Sequence, residues 1–325
     1  MSSLLSVKNM TVNFDTPRGS LEAVRNVDIE IPAGTSVGIV GESGSGKTVM
    51  CRAAMGLLQG STVSRTGTVV FDGHELTAMT KEQVRELFGS GMAMIFQDPL
   101  TALNPVRRIG VQLSEGLRIR LGMSKSDAMA RSKELLELVR IPNAAAVLKS
   151  FPYQLSGGMR QRVMIAIAIA CNPKLLFADE PTTALDVTVQ AQILQLLREL
   201  REDLKMSMVL VTHDLGVVAG NTDYVAVMYA GEVVEYAPTA KLFADMRMPY
   251  TEALLNSIPR VDHKPGTALT VIAGRLPDPT NRPSGCGFAP RCKYVQEKCH
   301  KEHPNLKTDP DGHVYRGWFP IGEAL

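Results

Sequence analysis

One glycine-rich stretch limits what this chain can fold into more than any other: Gly41-Glu-Ser-Gly-Ser-Gly-Lys47-Thr48, between the apolar run Val37–Val40 and a helical stretch over Lys47–Leu58. It fits the pattern G-x-x-x-x-G-K-[ST], and a strand before with a helix after is the context that gives the pattern meaning. Gly41, Gly44 and Gly46 let the backbone curl, so that successive N–H groups, those of Ser43 and Ser45 among them, converge on phosphate oxygens at a helix N-terminus. Lys47 then reaches the β- and γ-phosphates, and the Thr48 hydroxyl can hold Mg²⁺. A glycine-rich turn matching by chance would lack the flanking strand and helix, so phosphate binding is the preferred reading.

The rest of the chain agrees with an α/β fold. Short apolar runs at Val37–Val40, Gly67–Phe71, Ala93–Phe96, Leu175–Ala178 and Met208–Val211 read as strands, and Lys47–Leu58 and Val187–Leu204 read as helices. Ile193, Leu196, Leu197 and Leu200 recur at helical spacing in the second. Between Asp98 and Gln154 the strands vanish and helical stretches such as Ser124–Arg140 take over. That predicts a helical subdomain, about residues 98–160, inserted in the α/β core. Beyond about Pro259 periodicity is lost and prolines are frequent, as at Pro265, Pro277, Pro279, Pro283 and Pro290. The expected organisation is a nucleotide-binding domain over 1–258 and an irregular extension over 259–325.

Further residues gather around the loop. Leu175-Leu-Phe-Ala178 runs straight into Asp179 and Glu180, and a parallel sheet delivers acids to its ligand edge in this way. Asp179 would support Mg²⁺ and Glu180 would polarise an attacking water. Alone, such a pair is more often a solvated strand end. Leu155-Ser-Gly-Gly-Met-Arg-Gln-Arg162 leads into the apolar helix Val163–Ala170. Ser156 suits an N-cap, yet Gly157 and Gly158 behind it expose N–H groups at a helix N-terminus, a second phosphate site. Gln97 and His213 each end a strand; either, taken singly, is an ordinary polar cap.

Composition excludes several classes. The net charge of +2 leaves no electrostatic footprint for nucleic acid. The longest apolar run, about Val163–Cys171, is far short of the ~18 residues that span a bilayer. No signal peptide is read at Met1–Met10, and 5 cysteines without one argue against a disulfide framework. A cytoplasmic compartment is expected.

In this order the motifs resemble those of an ABC ATPase: Walker A (Gly41–Thr48), Q-loop (Gln97), signature (Leu155–Gln161), Walker B (Leu175–Asp179), catalytic Glu180, D-loop (Ala184-Leu185-Asp186) and H-loop (His213). The similarity runs from about Leu4 to Ile258. Phe96-Gln-Asp-Pro-Leu-Thr-Ala-Leu-Asn-Pro105, Leu-Ser-Gly-Gly-Met-Arg-Gln-Arg, Ala178-Asp-Glu-Pro-Thr-Thr-Ala-Leu-Asp186 and Met248-Pro-Tyr-Thr-Glu-Ala-Leu-Leu255 are similar to the dipeptide/oligopeptide/nickel uptake group, with Met248 where histidine is usual.

The resemblance implies a P-loop NTPase core whose ATP and Mg²⁺ are held by the residues above, with Thr48, Gln97 and Asp179 on the metal. Phe14 would stack on the adenine, although a strand phenylalanine is more often core. It further implies two subunits packed head to tail, Ser156, Gly157 and Gly158 acting at the partner's nucleotide, Asp186 of the D-loop among the nucleotide-binding residues, and His213 contacting the γ-phosphate. The implied partners are a second, non-identical ATPase subunit, two transmembrane permeases and, through them, a solute-binding protein. The implied place is the cytoplasmic face of the plasma (inner) membrane. Readings as a soluble ABC ATPase of ribosomes or DNA, or as a catalytically dead nucleotide binder, are disfavoured. There is one cassette, there are no sustained heptads, and Lys47, Asp179, Glu180 and His213 are intact.

Within the extension, Gly285-Cys-Gly-Phe-Ala-Pro-Arg-Cys292 and Cys299 resemble the segment in which many such subunits carry a 4Fe–4S cluster. Four thiolates are normally required. Here Cys286, Cys292 and Cys299 supply three, and Gly317, ahead of Trp318, stands at the apparent fourth position. A substitute ligand (His300, His303 or His313), a three-cysteine cluster and no metal are all open, and zinc is chemically allowed. The favoured expectation is an iron–sulfur cluster tying down the tail.

Overall fold

The computed structural model describes residues 3–17, 19–58, 60–183, 185–258 and 272–322. Pro259, Pro265 and Ala184 of the expected D-loop lie outside them. In chain order the elements are β1 (Ser3–Thr16), β2 (Gly19–Pro32), β3 (Ser36–Val40), α1 (Lys47–Ala54), β4 (Val63–Phe71), β5 (His74–Glu75), α2 (Lys81–Glu86) and β6 (Met92–Ile95). Then come α3 (Pro99–Ala102), α4 (Ile109–Leu121), α5 (Lys125–Leu138), α6 (Ala144–Val147), α7 (Gly157–Ile169), β7 (Leu175–Asp179), α8 (Val187–Asp203) and β8 (Ser207–Thr212). The chain closes through α9 (Leu215–Ala219), β9 (Tyr224–Tyr229), β10 (Glu232–Pro238), α10 (Thr239–Ala244), α11 (Pro249–Asn256), α12 (Glu297–Lys301), β11 (Lys307–Thr308) and β12 (Val314–Tyr315).

Several expected helices begin or end elsewhere. The first stops at Ala54 instead of Leu58, because Gly56 takes a left-handed φ of 72°. The helix expected over Val163–Ala170 starts at Gly157, since Ser156 accepts the Met159 N–H and caps it there.

The chain divides into two compact units, Met1–Ala78 with Leu210–Leu325, and Met79–Val209. In the first, β1 lies between β2 and β4, antiparallel to both. Alternate residues of β1 such as Leu5 and Val7 are buried, as a sheet with one apolar face requires. The same unit pairs β3 parallel with β9, from Val37↔Tyr224 to Val40↔Val227, and continues antiparallel through β10, β12 and β11. Strand β3 is buried at every residue, and it delivers its C-terminal end to the glycine-rich loop.

The extension is built into this unit. Phe288 and Tyr315 share one apolar core with Tyr229, Val234, Met248 and Tyr250, and Cys286, Cys292 and Leu276 pack against it. The rings of Tyr229, Tyr250 and Phe288 meet edge to face at centroid distances of 4.5–5.3 Å, a favoured arrangement for aromatic quadrupoles. Arg316 donates its backbone N–H to Val234 O at 2.8 Å, extending the β10 pairing. A fully buried His313 Nε2 meets Glu235 Oε1 at 2.8 Å. The same carboxylate accepts the Met248 N–H and the Thr251 hydroxyl. Burial and hydrogen bonds thus hold the irregular segment.

In the second unit β6 and β7 pair parallel, Met92↔Leu175 to Ile95↔Ala178. Helices α4 and α5 pack together and both reach α7. Ser124 caps α5 by accepting the Asp127 N–H, which sets its start one residue on.

Candidate functional site

Glycine conformations and a lysine folded onto its own loop build the segment Gly41–Thr48. Gly41, Gly44 and Gly46 have φ of 155°, 83° and 99°, where side chains are strained. Space is short as well: a Cβ on Gly41 would lie 2.1 Å from the Met228 carbonyl oxygen, and one on Gly46 2.6 Å from that of Ala23. The Lys47 ammonium donates to the carbonyl oxygens of Gly41 (2.8 Å) and Glu42 (3.0 Å), and its side chain is buried. Ser45 is buried too; its N–H donates to Glu42 O and its carbonyl accepts the Gly231 N–H. Ser43 and Gly44 are exposed at the tip, and Thr48 stands half-buried in the first turn of α1.

Two other expected residues belong to this unit. Phe14 is half-buried on β1, opposite Leu21 and Val63. His213 is exposed directly after β8, and Asp214 beside it caps α9 by accepting the Gly216 N–H at 2.7 Å.

The second unit brings Gln97 and Glu180 together. Because Ile95 pairs with Ala178, each residue lies two positions beyond the paired end of its strand. Asp179 ends β7 fully buried, and Glu180 then takes a left-handed φ of 44°, which costs a non-glycine residue ~1–3 kcal/mol. In that turn its Oε2 accepts the Gln97 amide at 2.9 Å and the Thr183 hydroxyl at 2.9 Å. Strain of this kind concentrates at functional sites.

The same unit sets the signature residues beside the segment after Thr183. A Cβ on Gly158 would be 3.1 Å from Val189 Cγ1, and one on Gly157 3.7 Å from Leu185 Cδ2. Asp186 caps α8 by accepting the Val189 N–H at 2.9 Å. Ser156, Gly157 and Asp186 therefore present two helix N-termini side by side.

Four residues that hold these parts were not singled out from the sequence: Thr183, Glu42, Tyr250 and Arg291. Each lies inside a motif that was recognised for other reasons, and that placement is the signal that could have found them. The Glu42 N–H donates to Tyr250 Oη at 2.9 Å, and Arg291 Nη1 donates to Glu42 Oε2 at 3.1 Å.

The expected iron–sulfur cluster finds no matching donor set. Burial raises the Cys286 and Cys292 thiols above their ordinary value, and neighbouring cysteines add to the rise. Of the three substitute histidines, His303 and His313 are engaged by Glu232 and Glu235, and His300 is exposed on α12. Gly317 brings no donor and packs on Met248, whose Sδ would lie 3.1 Å from an added Cβ. Among the described residues no three His, Cys, Asp or Glu side chains are disposed to hold a metal ion, zinc included.

Residues 24–183 match the family described as ABC transporter, and residues 234–299 match the family described as oligopeptide/dipeptide transporter, C-terminal region. The oligopeptide transport ATP-binding protein AppD of Bacillus subtilis is 46% identical over 97% of this chain and 96% of its own. The oligopeptide transport ATP-binding protein OppD of Salmonella typhimurium is 45% identical over 99% of this chain and 95% of its own. Among solved structures, the dimeric ATP-binding cassette MJ0796 bound to ADP and Pi matches with a TM-score of 0.65 at 29% identity, covering 72% of this chain and 98% of that one. The cbiO1 subunit of Clostridium perfringens matches with a TM-score of 0.62 at 26% identity, over 75% of this chain and 92% of that one. A glycine-cradled lysine loop, a strained acid after a buried aspartate and relatives alike along nearly their whole length agree: the chain belongs to the ABC transporter family and is one of its ATPase subunits.

Proposed function

We propose that this chain powers the import of oligopeptides as one of two paired, non-identical ATPase subunits at the cytoplasmic face of the plasma membrane. The observation that carries the substrate class is similarity to an oligopeptide transport ATP-binding protein over 97% of the chain. Among the described residues no helix is long and apolar enough to cross a membrane, so two permease subunits would provide the path and a solute-binding protein would deliver the cargo.

In this reading the loop Gly41–Thr48, with Ser43, Gly44, Ser45, Gly46 and Lys47, binds the phosphates of ATP, and Phe14 takes the adenine. Mg²⁺ suits hard oxygen donors; the Thr48 hydroxyl, the Asp179 carboxylate and the Gln97 amide would hold it, and when bound it neutralises phosphate charge. Glu180 orients and polarises the attacking water, and His213 contacts the γ-phosphate. Ser156, Gly157, Gly158 and Asp186 serve the nucleotide of the facing subunit, which agrees with the dimer named for the MJ0796 cassette. The iron–sulfur cluster is not part of the proposal, because its donor set is incomplete.

Co-expression with the ATPase and permease subunits encoded beside it tests the pairing. A complex holding one copy of each ATPase is expected by mass measurement. A fully active homodimer with the permeases would remove the non-identical partner.

A further inference from the structure

The extension reaches the phosphate-binding loop through an ion pair. Arg291 Nη1 donates to Glu42 Oε2 at 3.1 Å, with side chains 5% and 27% exposed. The rest of the guanidinium is fixed by the extension itself: Nε donates to Ala273 O at 2.8 Å and Nη2 to Ile272 O at 3.2 Å. It also lies over the rings of Tyr229 and Phe288. Glu42 is tied from a second side by its N–H bond to the buried Tyr250. Both partners belong to one compact unit, although 249 positions separate them.

A carboxylate at this place works against its surroundings. The loop gathers N–H dipoles and the Lys47 ammonium to attract a polyphosphate, and Glu42 sets a negative charge directly after Gly41. In a partly buried setting such a charge is poorly screened. A guanidinium bound to it cancels the charge and, being a rigid fork, also fixes where the carboxylate lies.

We propose that Arg291 is a positioning residue for ATP: it neutralises Glu42 and holds its carboxylate on the extension, so that the loop meets the phosphates with a positive field. The proposal rests on the reading of Gly41–Thr48 as the ATP phosphate loop. The extension thereby sets nucleotide affinity as well as packing against the core.

Titration of the full chain with a fluorescent ATP analogue and Mg²⁺ tests this with a set of variants. R291M is expected to bind about tenfold or more weakly, the scale of a charge-assisted hydrogen bond. E42Q/R291M is expected to regain most of that loss, because the repelling charge is gone. R291K keeps the charge without the fork and should fall between wild type and R291M. Thermal melts check folding; if R291M does not fold, R291Q, whose amide can still donate to Ala273 O, takes its place in the series. Wild-type affinity in R291M overturns the proposal. So does an equal loss in R291M and E42Q/R291M, which would leave Arg291 a scaffold for the extension. K47A separates the two readings: wild-type binding in K47A would refute the phosphate loop itself, whereas loss in K47A without loss in R291M would refute only the role of Arg291.

Discussion

The Gln97 amide donates to Glu180 Oε2 across 2.9 Å, and the Thr183 hydroxyl donates to the same oxygen at 2.9 Å. The register of β6 on β7 produces the first bond and the turn Glu180–Thr183 the second. Two donors on one oxygen restrict the orientation of the carboxylate, as the proposed role of Glu180 in polarising water requires.

Removing one donor should weaken that orientation without abolishing it. Q97A is expected to lower ATP turnover about tenfold or more, the scale of a hydrogen bond to an ionised carboxylate, with a smaller change in ATP affinity. Steady-state hydrolysis alongside nucleotide titration checks the split. An equal loss in both would assign Gln97 to ground-state binding.

Much of this arrangement was legible in the sequence, for identifiable reasons. Glycines at Gly41, Gly44 and Gly46 are required by backbone angles that strain other residues, so the loop announces itself in composition. Strands β3, β6, β7 and β8 appear as short apolar runs because they are buried on both faces, and their ends moved by only a residue or so. The extension was not legible. Its packing rests on single residues such as Phe288, Arg291, His313 and Arg316, whose partners lie far off in the chain and follow no period. The iron–sulfur expectation came from a motif shared with relatives, and motif spacing does not reveal that His303 and His313 are already bound to glutamates.

Metal content follows from the incomplete donor set. Protein purified without oxygen is expected to carry far less than one iron or zinc per chain, and C286S/C292S/C299S is expected to keep its fold and ATP affinity. Stoichiometric iron and sulfide, lost in the triple variant, would contradict this.

Acid should loosen the extension through Glu232. Burial alone would raise this carboxyl, but the His303 hydrogen bond and the nearby Arg316 charge outweigh it and hold it below its ordinary value of 4.5. A carboxyl lowered on folding adds stability above its unfolded value and loses it as pH falls through the folded one. Stability should therefore drop below about pH 4.5, and E232Q should flatten that part of the profile. Urea melts across pH 3–7 check it, with an unchanged acid limb in E232Q as the opposing result.

The most direct measurement is ATP hydrolysis and uptake of a labelled oligopeptide by the assembled transporter in proteoliposomes, with wild-type chain and with E180Q. E180Q is expected to bind MgATP as tightly as wild type, to hydrolyse it ~10²–10⁴-fold more slowly, and to lose uptake in parallel. Hydrolysis and uptake near wild-type levels in E180Q would contradict the role of Glu180 and, with it, the assignment of this chain as the subunit that drives transport.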